Sequence, residues 1–208
     1  MKKQEIELVL NKIAMNCFTS YDIRRDDVLF ELSEIEIYLT NKSEGIKDIF
    51  RHDNEDHLCK EITSIHYSGF DICMGDKDKD VYCGVLVRGL ISKDIAVDDV
   101  YGPGRVMYSY PGKKERGIEI INRNEETNNL RFYDDTVNPR LINGDIILRM
   151  PRVNLSKSTC HKHIGNPAEL NKYLNLKARF LRVKSIESML SKNGPEELRE
   201  VFNSLLSR

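Results

Sequence analysis

The side chains best suited to acid–base work lie together in one short stretch. Glu34, Glu36 and Tyr38 alternate through Glu34-Ile35-Glu36-Ile37-Tyr38-Leu39, and in a strand residues two apart point to the same side. A carboxylate in so apolar a run is either the partner of a buried cation or a general base in a pocket. The matching cation comes later in the chain: Arg88 stands between Leu86 and Leu90 in the apolar segment from Val81 to Ile91. A buried Arg needs a partner. With two carboxylates on offer, one can satisfy Arg88 and the other is left for chemistry. Metal chemistry has less support, because His57-x-Cys59 and Cys160-His161-x-His163 lack the paired spacing of a structural zinc site. The run from Asp76 to Asp80 starts like a calcium loop, but Val81 takes the glycine turn position and Val87 that of the bidentate Glu, so it reads as a charged hairpin turn. No metal and no cofactor is expected.

The elements that must hold these residues can be read from periodicity. Residues 2–15 place Ile6, Leu8, Val9, Leu10 and Ile13 near one side of a helix. Val28 to Leu39 reads as a strand with Leu29, Ile35, Ile37 and Leu39 on one face. Simple alternation puts Val28, Phe30, Leu32, Glu34, Glu36 and Tyr38 on the other, so the two carboxylates interrupt an apolar face. Residues 44–51 are expected to form a short helix, and Glu61 to Met74 a strand pair or a strand broken near Gly69. The segment Val81–Ile91 is apolar on both faces, as a central strand is. Further strands are expected at 117–121, 129–133, 145–149 and 177–184, and a last helix opens at Gly194-Pro195. The class is α+β: one domain, 1–208, with a curved mixed or antiparallel sheet and flanking helices.

At 208 residues and 40% hydrophobic, the chain can bury one sizeable core. Lys+Arg 32 against Asp+Glu 33 leaves a net charge of -1, so an anionic partner must be held by a local patch and not by an overall basic field. Five scattered cysteines without C-x-x-C spacing argue against a disulfide scaffold. The start lacks the apolar run of a signal peptide, and no stretch reaches the roughly 20 apolar residues of a membrane span. A cytoplasmic protein without a membrane partner is the expectation.

In order along the chain, several short motifs resemble those of the alkyladenine (3-methyladenine) DNA glycosylase family. Glu34-Ile35-Glu36-Ile37-Tyr38 is similar to its E-x-E-A-Y, Asp48 and His52 to its Asp-x-x-x-His segment, and Val85-Leu86-Val87-Arg88-Gly89 to its V-L-I-R-A. Gly102-Pro103-Gly104-Arg105 is similar to its G-P-G-K/R turn. Met150-Pro151-Arg152-Val153 and Ala178-Arg179-Phe180 resemble T-P-R-I-G and W-R-F. The likeness runs from about residue 28 to 184 and leaves out the first and last helices.

The resemblance implies a monomeric enzyme that flips a damaged purine out of DNA and hydrolyses its N-glycosidic bond without a metal. Glu36 would be the general base and Arg88 the cation beside it, while Tyr38 and His52 would sandwich the base. Tyr67 takes the intercalating position with a one-residue shift, and Gly75 falls where the family has a pocket asparagine. Ile65 or His66 falls where the family has a second stacking tyrosine, and the gap from Tyr38 to His52 is longer than in the family. These departures leave open a catalytically altered relative that binds nucleic acid or nucleotides. The positive charge for DNA contacts is sought in Lys113, Lys114 and Arg116 and in Arg149 and Arg152.

Overall fold

The computed structural model describes residues 2–52, 54–109, 114–115, 117–123, 131–133, 146–152, 155 and 167–183. The chain opens with helix α1 (Lys3–Ser20), longer than its sequence pattern suggests. Ile6, Leu10, Ala14, Cys17 and Phe18, at helical spacing, are its buried face, while Leu8 stays 58% exposed. At its end the Thr19 hydroxyl donates to Met15 O at 2.9 Å and the chain turns extended at Tyr21.

A hairpin follows, β1 (Tyr21–Arg25) and β2 (Val28–Asn41), with Asp26 in the left-handed region at the turn (φ 53°), a conformation Asp tolerates. Strands β4 (Lys60–His66), β5 (Gly69–Met74) and β6 (Val81–Ser92) come next. The break at Gly69 and the long apolar strand are where the sequence places them. Asp76 shapes the β5–β6 turn, its Oδ1 accepting the N–H groups of Asp78 and Lys79. Further on are β10 (Ile118–Asn122), β11 (Arg131–Tyr133), β12 (Ile146–Met150) and β13 (Arg179–Val183), at the four expected sites. Among the described residues the shorter elements are β3 (Ile46–Lys47), β7 (Val100–Tyr101), β8 (Tyr108–Ser109), β9 (Lys114–Glu115), a 3-10 turn (Glu55–Leu58), α2 (Pro103–Met107) and α3 (Pro167–Leu174).

The architecture is α+β. The sheet order is β11-β12-β13-β2-β6-β5-β4, with β1 and β3 joined to β2, β10 to β1 and β7 to β6. Among the described strands every pair is antiparallel except β11–β12, which is parallel, and the sheet curls into a half-barrel. The core lies on the face covered by α1, where Ile35, Ile37, Ile72, Val85 and Val87 meet Ile6, Leu10 and Phe18.

Two expectations need correction. No helix forms at 44–51: Gly45 turns at φ 69° and Ile46–Lys47 pair with Asn41 and Thr40 as a short strand, which buries Ile46, Ile49 and Phe50. Nor does β2 alternate simply. Its register with β6 shifts between Leu32 and Glu34 and again between Glu34 and Ile35, so Ser33 and Arg88 are each an extra residue. These crossed bulges put Phe30 and Leu32 in the same core as Ile35, Ile37 and Leu39. The carboxylates therefore do not interrupt that face. They belong to the opposite one. The terminal helix at Gly194 lies outside the described residues.

Candidate functional site

The face of the sheet opposite α1 carries a chain of acidic, basic and phenolic side chains. Glu34, 1% exposed, accepts from two guanidinium groups through one oxygen: Arg88 Nε at 2.9 Å and Arg179 Nε at 2.6 Å. Arg88 then reaches Glu36, Nη1 to Oε2 at 3.5 Å, and the Tyr38 hydroxyl donates to the same Oε2 at 3.0 Å. Burial opposes the charge of Arg88, but the carboxylates of Glu36 and Glu34 outweigh it and raise its basicity above the usual arginine value. Burial and the Glu36 charge push the Tyr38 phenol well above its ordinary range. Tyr38 is thus a neutral donor at every physiological pH.

Beyond Tyr38 the network continues to Arg152. Its guanidinium lies 4.7 Å from the Tyr38 ring centroid and 5.6 Å from that of Phe50, a cation–π arrangement. It grips Asp48 in bidentate fashion, Nη1 to Oδ2 at 2.6 Å and Nη2 to Oδ1 at 3.2 Å. Asp48 is held in turn by the Phe50 N–H at 3.0 Å. The Arg152 side chain is fully buried. A phosphate contact at the surface is therefore the wrong reading of Arg152, because Asp48 and two aromatic rings draw it inside.

A second polar cluster adjoins the first. Asp71 stands opposite Leu86, which is itself opposite Glu36, so the two carboxylates share a row across the sheet. The Asp71 carboxylate lies 2.8 Å from His57 Nε2 and 3.3 Å from His66 Nε2. Burial alone would raise its pKa, yet the hydrogen bonds from the two imidazoles bring it below the ordinary carboxylate value. His57 rests over Gly84, where an added Cβ would fall 2.5 Å from Nε2. Gly84 is the residue opposite Tyr38 in β6. His57, in a short 3-10 turn over Glu55–Leu58, therefore packs over the strand position next to Tyr38, whereas His52 is exposed. Gly84 within a central strand is a sequence signal for such a close approach, and Asp71 in an apolar strand is a signal for its partner.

The remaining candidates separate. Tyr67 is 84% exposed at the tip of the β4–β5 hairpin, with Ile65 51% exposed on β4. Gly75 does not offer room for a missing side chain: a Cβ there would meet His57 O at 1.9 Å and Val81 O at 2.5 Å. Glycine is needed because backbone closes over it. Arg149 extends to the other side of the sheet, donating from Nη1 to the Asn11 side-chain oxygen of α1 at 2.8 Å, in the amide orientation that satisfies both Asn11 groups. Lys114 is in β9, while Lys113 and Arg116 lie outside the described residues, as do Cys160, His161 and His163.

Among the described residues no three His, Cys, Asp or Glu side chains converge as a metal site, and no helix is long and apolar enough to cross a membrane. No protein-family model matches the chain, and no curated protein matches it either. A buried carboxylate with a cation and a phenol at its edge is suited to taking a proton from a small nucleophile, water above all.

Proposed function

We propose that the chain is a purine DNA N-glycosylase in which Glu36 is the general base. The observation that supports this reading is the constellation Glu36–Arg88–Tyr38 on one face of the half-barrel: a carboxylate with its charge balanced at 3.5 Å and an aromatic ring two residues away to receive a base. In the reaction Glu36 takes a proton from water as the water oxygen attacks C1′. The C1′–N bond breaks, its electron pair leaves with the purine, and Arg88 keeps the carboxylate poised. Extruding the base costs a few kcal/mol of stacking, recovered in part on aromatic side chains. In this reading Tyr67, 84% exposed on its hairpin, enters the duplex as the base leaves. The reaction uses water and calls on no cofactor.

One observation favours a second reading, a relative that binds nucleic acid or nucleotides without cleaving. Arg152 already covers the Tyr38 ring, and Glu36 is only 1% exposed, so a base can stack on Tyr38 only if Arg152 gives way. Duplexes carrying hypoxanthine, ethenoadenine or 7-methylguanine separate the two. The glycosylase produces abasic sites, and Glu36→Gln, which keeps the shape but cannot accept the proton, loses at least about 100-fold in rate. Salt-dependent binding of the same duplexes with no abasic product selects the second reading.

A further inference from the structure

Arg88 faces two carboxylates, and a single guanidinium between two anions would settle midway. It does not do so here. Its Nε is committed to Glu34 at 2.9 Å, and only Nη1 turns to Glu36, at 3.5 Å. What makes this division possible is a second cation: Arg179 brings its own Nε to the same Glu34 oxygen at 2.6 Å. Arg179 leaves β13 at the position directly opposite Glu36 and reaches back past it to Glu34. The crossed bulges at Ser33 and Arg88 are what turn Glu34 and Arg88 toward one another. Glu34 is 1% exposed and Arg179 3%, so water screens their contact little.

We infer that Glu34 and Arg179 are positioning residues: together they fix the Nε edge of Arg88 so that its Nη1 edge is presented to Glu36. Arg179 neutralises Glu34, which leaves the charge of Arg88 available to the catalytic carboxylate. Without Glu34 the guanidinium swings fully onto Glu36 and occupies the oxygen edge that should meet water. Without Arg179, Glu34 draws Arg88 away. Both changes act on the contact of Arg88 with Glu36. The catalytic use of this arrangement rests on the glycosylase reading; the placement of Arg88 does not.

The test uses the full chain and two independent readouts. In single-turnover release of hypoxanthine from a duplex at saturating protein, Glu34→Gln and Arg179→Met each slow the reaction by about 100-fold, the cost of a small misplacement at a reacting group. Duplex affinity stays within about twofold, and Arg179→Lys recovers part of the lost rate, as a charge without the planar fork should. In the double variant Glu34→Gln/Arg88→Met the rate is no lower than in Arg88→Met, because both act through one guanidinium. A full additional loss in the double variant, or normal rates in both single variants, overturns the inference. The second readout is the Arg88 Nε–H resonance of the wild type, which needs no variant to fold. It should resist exchange with water, and exchange as fast as at a surface arginine overturns the placement. If no duplex yields abasic sites, the glycosylase reading falls while this resonance still decides where Arg88 is held.

Discussion

Ile35 and Ile37 on one side of β2 and Glu34 and Glu36 on the other are all at 1% exposure or less, yet the two sides are buried by different means. The α1 side is closed by apolar contact with Ile6, Leu10 and Phe18, which is non-directional and tolerant of small changes in shape. The opposite side is closed by polar pairing: ion pairs of Glu34 with Arg88 and Arg179 and of Asp48 with Arg152, and the carboxylate–imidazole contact of Asp71 with His57. Such pairs need close geometry to offset desolvation, and removal of one partner strands the other. The lesson is that one strand can lend half its side chains to stability and half to a preorganised polar face, provided a bulge keeps the two sets apart.

The sharpest way to break this contrast is Arg152→Met. It leaves Asp48 buried without its bidentate cation and should cost about 3–5 kcal/mol, seen as a large fall in denaturant midpoint; a loss under about 1 kcal/mol would show that Asp48 finds other partners. Next in size is Asp71→Asn, which weakens the hydrogen bonds to two imidazoles at a cost of about 1.5–3 kcal/mol near neutral pH. The carboxyl of Asp71 titrates lower in the folded chain than in the unfolded chain. Its stabilisation is therefore present above the ordinary Asp value and is lost as pH falls through the folded one, below about 4. Wild type should lose more stability than Asp71→Asn on acidification through that window, and parallel acid curves would refute the assignment.

On the apolar side Ile37→Val should cost only about 0.5–1.5 kcal/mol. A penalty as large as that of Arg152→Met would mean the helix-covered core is no more forgiving than the charged face. The smallest effect is expected at Tyr67, where replacement by Ala should change stability by less than about 0.5 kcal/mol while weakening binding to a lesion duplex. Equal binding by wild type and variant would remove the hairpin from the DNA-facing surface.

Much of the site was legible as residue type. Glu36 and Tyr38 on one strand face, and Arg88 with a carboxylate partner, follow from period-two alternation and from the cost of an unpaired buried charge. The break at Gly69 and the central strand from Val81 follow from turn chemistry and continuous apolar character. Arg152 was not legible, because nothing local distinguishes a cation drawn inside by Asp48 from one left on the surface. Gly75 was misleading for a related reason. A glycine in place of a larger side chain suggests an open pocket, whereas here the carbonyls of His57 and Val81 fill the space.

The amino-acid sequence by itself determined the α+β class, the run of strands from Val28 to Val183 and the acid–base residues of β2, because these depend on side-chain period and composition within single segments. Only the tertiary structure decided which carboxylate holds which arginine and which histidine lies beside Tyr38. Those choices depend on bulges, on strand order and on residues more than a hundred positions apart, as Glu34 and Arg179 are. The charges were always in the chain. Their pairing is a property of the register in which its strands meet.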